Sequence, residues 1–99
     1  MPQTPVTVVA ELVAKVGKED EVRKILLGLV GPTRKEEGCI QYDPHELADK
    51  PGHFIFYENW VSQAALDTHL KTPHIASAFA KIPEFFEGAP RILICKRIG

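Results

Sequence analysis

The 99-residue chain has no surplus of charge, since twelve Lys and Arg stand against thirteen Asp and Glu for a formal net charge of -1. Without an excess positive field there is little to hold a phosphate backbone, so nucleic acid is not an expected partner. Cysteine is scarce as well, with only Cys39 and Cys95. Two widely separated cysteines do not make a disulfide scaffold; in a reducing compartment they read as small hydrophobes, and no redox role is assigned to them. Long apolar runs are missing, so no membrane span and no membrane partner are expected. The opening Met-Pro-Gln-Thr-Pro lacks the charged and apolar regions of a secretory signal, which predicts a cytoplasmic location. No internal repeat or low-complexity tract occurs. What remains is 44% hydrophobic and 25% charged, the balance of one globular domain over residues 1–99 that buries about 60–70% of its unfolded surface.

Glycine and proline divide the chain into six segments. Val6 to Val16 carries Val6, Val8, Ala10, Leu12, Ala14 and Val16 in period two and predicts a strand. From Lys18 the period changes: Val22, Ile25, Leu26, Leu29 and Val30 follow the spacing of one helix face, and Gly31-Pro32 is expected to kink or end that helix. Cys39 to Leu47 and His53 to Trp60 flank a turn-forming Ala-Asp-Lys-Pro-Gly and read as a hairpin, with Pro44 placing its strand at a sheet edge. Ser62 is a plausible N-cap for a helix through Ala65, Leu66 and His69. The helix restarts at Pro73, with Ile75, Phe79, Ile82 and Phe86 as its apolar face, and Arg91 to Ile98 closes the chain as a strand.

The order strand, helix, strand, strand, helix, strand predicts an α+β, ferredoxin-like split βαβ domain with one antiparallel sheet and helices on one face. In the third strand Phe54, Phe56 and Trp60 point one way and Ile55 and Tyr57 the other; in the first, Val8 and Leu12 oppose Val9 and Val13. Both faces are therefore apolar, and helices can cover only one of them. A homodimer formed by an identical sheet is the expected cover for the other. The same strand order puts the second and fourth strands at opposite edges. Cys39 and Cys95 would then stand roughly 14 Å apart, beyond bridging distance.

The stretch Gly38-Cys39-Ile40-Gln41-Tyr42-Asp43, then Phe54-Ile55-Phe56-Tyr57-Glu58-Asn59-Trp60, then Ala65-Leu66-Asp67-Thr68-His69 and Thr72-Pro73-His74, resembles the antibiotic biosynthesis monooxygenase family. The resemblance covers nearly the whole domain. It implies a dimeric α+β barrel and an oxygenase that uses no metal, haem or flavin and acts with O₂ on electron-rich phenols such as quinols and anthrones. The family is functionally mixed. Its haem-degrading branch uses Asn, Trp and His where this chain has Ala10, His69 and Phe79, so that activity is disfavoured. A branch that isomerises a phosphorylated signalling molecule is similar at Phe54 to Glu58 and at His69 to His74, and remains the alternative. A non-catalytic small-molecule-binding dimer is the third reading.

Cofactor-free oxygenation needs a base and an apolar pocket, so that a deprotonated, electron-rich aromatic substrate can pass an electron to O₂. His69 and His74 are the candidate bases, both expected to look into the space between helices and sheet. Their five-residue spacing is not a helical metal pair, and with no Cys or carboxylate to complete a tetrahedral set no metal centre is expected. Asn59 is a candidate donor to a developing phenolate or peroxide oxygen, Trp60 a stacking surface, and Tyr57 a partner for a substrate hydroxyl. Leu66 and Phe79, with Val22, Leu26 and Phe86, are candidate apolar walls. Glu58, if buried, must pair with Arg91 or Arg34 or stay protonated.

Overall fold

The computed structural model describes residues 4–99. The β-branched alternation at the start forms β1 (Val6–Val13), which pairs antiparallel with β3 (His53–Trp60) on one side and β4 (Arg91–Cys95) on the other. With β2 (Cys39–Glu46) beyond β3, the sheet runs β2-β3-β1-β4, the ferredoxin-like order. Between the strands run α1 (Glu19–Arg34), α2 (Gln63–His69), α3 (Pro73–Ala80) and α4 (Ile82–Phe85). No helix among the described residues is long and apolar enough to cross a membrane. Pro44 lies on the edge strand β2, and Cys39 and Cys95 lie on opposite edges, both as free thiols.

Several boundaries depart from the sequence expectation. β1 ends at Val13 rather than Val16, because the Ala14 N–H turns to the Gly52 carbonyl at 2.8 Å and Lys15 N–H to Phe85 at 2.9 Å, leaving Val16 in solvent. Gly31-Pro32 neither ends nor interrupts α1, which runs on to Arg34. The N–H that Pro32 lacks would have served Gly28, an exposed residue whose carbonyl water can satisfy. The expected helix from Pro73 through Phe86 is instead two short ones, parted at Lys81 ahead of Pro83. Ala78 replaces Phe79 on its buried face. β2 stops at Glu46 and β4 at Cys95, short of Leu47 and Ile98.

The core lies between the helices and one sheet face, where Val8, Val22, Leu26, Phe54, Phe56, Trp60, Leu66, Ile75 and Phe86 are buried. At the entry to β2, Gly38 has φ +90°, and a Cβ there would stand 2.6 Å from Ala65 Cβ and 3.0 Å from Val61 Cγ2. Its carbonyl accepts the Val61 N–H at 2.9 Å, locking the α1–β2 loop to the end of β3. Gly38→Ala combines a left-handed backbone with this clash, and should cost roughly 2–3 kcal/mol, read as a lowered urea midpoint. An unchanged midpoint would mean that the loop has room to move away from α2.

Candidate active site

Alternation along β3 places Glu58 on the same face as Phe54, Phe56 and Trp60, beneath the helices, where the residue is only 5% exposed. Neither expected arginine reaches it. Arg34 pairs with Asp43 at 3.0 Å and Arg91 with Glu11 at 3.4 Å, both near the surface. The partner is instead the Trp60 indole, whose Nε1 donates to Glu58 Oε1 at 2.9 Å. Burial outweighs that bond, and with Glu36 nearby adding like charge it pushes the Glu58 carboxyl up to about 7. Without an arginine, the buried Glu58 is thus biased toward its protonated form, the second half of the expectation.

Ser62 caps α2 by accepting the Ala65 N–H at 3.1 Å, and the helix delivers His69 at its last residue. The imidazole packs 4.6 Å from the Trp60 ring and 5.5 Å, edge on, from Tyr42, with 3% of its side chain exposed. Its Nδ1 lies 2.8 Å from Glu36 Oε2 in the α1–β2 loop. Because a carboxylate oxygen only accepts, the ring donates from Nδ1 and keeps its lone pair on Nε2, for which no protein partner occurs among the described residues. Burial lowers the His69 pKa, a tendency the Glu36 hydrogen bond opposes without reversing. The ring is thus held neutral and in one tautomer, the form in which it can take a proton.

His74, at the start of α3, donates from Nε2 to the same Glu36 oxygen at 2.8 Å. Glu36 therefore supplies the carboxylate that the sequence expectation found missing, and the three residues bring ligand atoms within 4.8 Å of one another. A divalent ion could be held by such a set. The same geometry is also accounted for by two imidazole N–H groups sharing one acceptor.

His69 and Glu58 share a small cavity, open to solvent on one side, whose other walls are almost wholly apolar. Leu26, Leu29, Phe56, Ile75 and Phe86 are its buried walls, with the more exposed Phe79 and Ile82 beside them. Tyr42 adds a phenol that burial keeps protonated.

Not all of the candidates meet in this cavity. His74 borders a separate groove with Lys24, Ser77 and Lys81, and meets the cavity residue His69 through their shared Glu36 and by a ring contact at 6.1 Å. Asn59 projects from the opposite sheet face, where Thr7 Oγ1 donates to its Oδ1 at 2.6 Å and its Nδ2 donates to Gln41 Oε1 at 2.8 Å. Tyr57 stands on that face too, 41% exposed. The period-two alternation alone separates them from His69. Trp60 and Leu66 lie in the core behind the cavity rather than on its surface, as does Val22. Phe79, Leu26 and Phe86 do form wall. Sequence reasoning missed Glu36, which belongs to no periodic element, and it weighed Glu58 only for burial although its position in the Phe54 to Trp60 alternation was legible.

Residues 5–81 match the family model described as antibiotic biosynthesis monooxygenase. Rv0793 of Mycobacterium tuberculosis is 35% identical over 81 residues, 82% of this chain and 79% of that protein. Protein sll1783 of Synechocystis is 32% identical over 92 residues, 93% of this chain, which spans only 63% of that relative's length. Among solved structures, PA3566 from Pseudomonas aeruginosa superposes with a TM-score of 0.93 at 29% identity, covering 100% of this chain and 99% of that one. A crystal structure of an antibiotic biosynthesis monooxygenase superposes with a TM-score of 0.88 at 30% identity, covering 95% and 99%.

Proposed function

Because the chain belongs to the antibiotic biosynthesis monooxygenase family, we propose that it is a cofactor-independent monooxygenase that oxidises a quinol-like or polyphenolic aromatic molecule with O₂. The observation that carries this reading is the His69 imidazole, fixed by Glu36 through Nδ1 on the wall of an otherwise apolar cavity. His69 Nε2 takes the acidic proton of the bound substrate, and the apolar walls leave the resulting anion poorly solvated and electron-rich. One electron passes to O₂, the radical pair joins through a new C–O bond, His69 Nε2 returns its proton to the peroxide anion and is neutral again, and the hydroperoxide then loses water. For an anthrone-type methylene the sum is R₂CH₂ + O₂ giving R₂C=O + H₂O, which needs no external reductant. Phe79, at the mouth, is the aromatic surface on which a planar substrate would stack.

A phosphorylated substrate for an isomerase would require a cation at the cavity, and no Lys or Arg lines it among the described residues. The test is oxygen uptake by the protein with a panel of naphthoquinols and anthrones, against a His69→Ala, His74→Ala double variant as blank. Uptake above that blank supports the oxygenase; equal rates across the panel would count against it.

The homodimer belongs to the same proposal. β4 extends beyond the helical cover, so that Ile92 and Ile94 on one face and Leu93 on the other are all exposed, and Tyr57 stands on the open sheet face. A second sheet packed on that face would bury Leu93 and Tyr57 together. Sedimentation equilibrium should give twice the 11.0 kDa chain mass, and Leu93→Asp should shift it toward the monomer. A wild-type monomer at micromolar concentration would overturn this part of the reading.

A further inference from the structure

We propose that Glu58 is the acid partner of His69: a protonated carboxyl on the cavity wall that hands its proton to the oxygen leaving when the substrate hydroperoxide breaks down. This assignment rests on the oxygenase reading and adds a second catalytic group to it. The two side chains reach one apolar cavity from different elements, Glu58 from the middle of the sheet and His69 from the end of α2. Trp60 Nε1 holds Oε1 at 2.9 Å, and no protein partner engages Oε2 among the described residues. A carboxyl placed in such a wall without a cation is costly for folding alone, because a leucine or methionine would fill the same space. Its surroundings fit an acid. The ionisable groups facing it are Tyr42 from β2, His69 from α2, and Glu36 and Cys39 from the loop and strand start, with no Lys or Arg among them.

In R₂CH–O–OH, His69 Nε2 takes the C–H proton, that electron pair forms the C=O bond, and the O–O bond breaks. The departing hydroxide leaves as water with the Glu58 proton. Carbon is oxidised, the distal oxygen is reduced, and the proton on His69 restores Glu58 through solvent. Environments that raise one titratable group and lower its neighbour are the usual arrangement of an acid and a base in one site, and here burial raises Glu58 and lowers His69.

Glu58→Gln keeps an oxygen to accept from Trp60 but has no proton of comparable acidity to give. Turnover of an anthrone that the wild type oxidises is followed by oxygen electrode, by quinone absorbance and by a peroxide assay. Quinone formed per O₂ consumed should fall at least about tenfold in Glu58→Gln, with the hydroperoxide accumulating in its place. Glu58→Asp, which retains a proton, should recover part of the quinone yield. Equal quinone yields in wild type and Glu58→Gln would overturn the assignment, as would a proportional loss of uptake and quinone without peroxide, the mark of a purely structural role. If the wild type takes up no oxygen above the double-variant blank, the oxygenase reading fails first and this assignment falls with it.

Discussion

His69→Gln should lower the oxygen-uptake rate by about 10²–10⁴-fold, the usual contribution of a positioned general base. Glutamine can still reach toward Glu36 and pack near Trp60, so the loss reports the proton acceptor rather than a collapsed core. His74→Gln should cost far less, because His74 is not part of the cavity wall and meets His69 only at second hand, through Glu36 Oε2 and a ring contact at 6.1 Å. Glu36→Gln should fall between them, at about 10–100-fold, since it removes the acceptor that fixes the His69 tautomer without removing the base. The pH profile supplies a separate check. Burial lowers the His69 pKa from its ordinary 6.5, so wild-type uptake should hold through pH 6.5 and decline only below it. That acid limb should vanish from whatever rate His69→Gln retains. A variant with more than a third of wild-type activity and the same acid limb would remove His69 from the mechanism.

Most of the frame was legible because it rests on periodicity. The alternation of Val6 to Val13 and His53 to Trp60, the helical spacing from Val22 to Val30 and the Ser62 cap each carry a local physical signal, and the structure follows them. Errors fell where tertiary contacts override such signals. Pro32 sits in α1 because the carbonyl it fails to serve is at the surface, and Phe79 is half-exposed on the cavity wall because α3 turns Ile75 and Ala78 to the core instead. Within the site, His69 was legible as a base candidate. Its orientation was not, since that depends on Glu36, thirty-three positions away and in a loop. Asn59 and Tyr57 drew notice by residue type although the strand alternation placed them opposite Glu58. Applied strictly, period two would have exchanged Asn59 for Glu58 as the cavity group.

Glu58 also makes the stability of the fold depend on pH in an unusual direction. A typical paired carboxylate has its folded pKa depressed and loses stability as pH falls. Glu58 moves from 4.5 to about 7 on folding, so between those values the folded state holds a proton the unfolded chain has released. Stability from this group therefore declines as pH rises from about 4.5, and levels off above about 7. The full difference is on the order of 3 kcal/mol, taking 1.36 kcal/mol per pKa unit. His69 acts oppositely: with its folded value below 6.5, it favours folding as pH rises toward that point. Glu58→Gln removes the first slope and leaves the second. At pH 8 it should be more stable than wild type by roughly 1–3 kcal/mol, the lower end allowing for an amide N–H without a partner, and its urea midpoint should no longer fall between pH 5 and 8. Identical pH dependence in the two proteins would show that Glu58 is ionised in the fold and unfit as a proton donor. A gain in stability with a loss of quinone would instead place Glu58 among residues that a protein keeps for its chemistry at the expense of its fold.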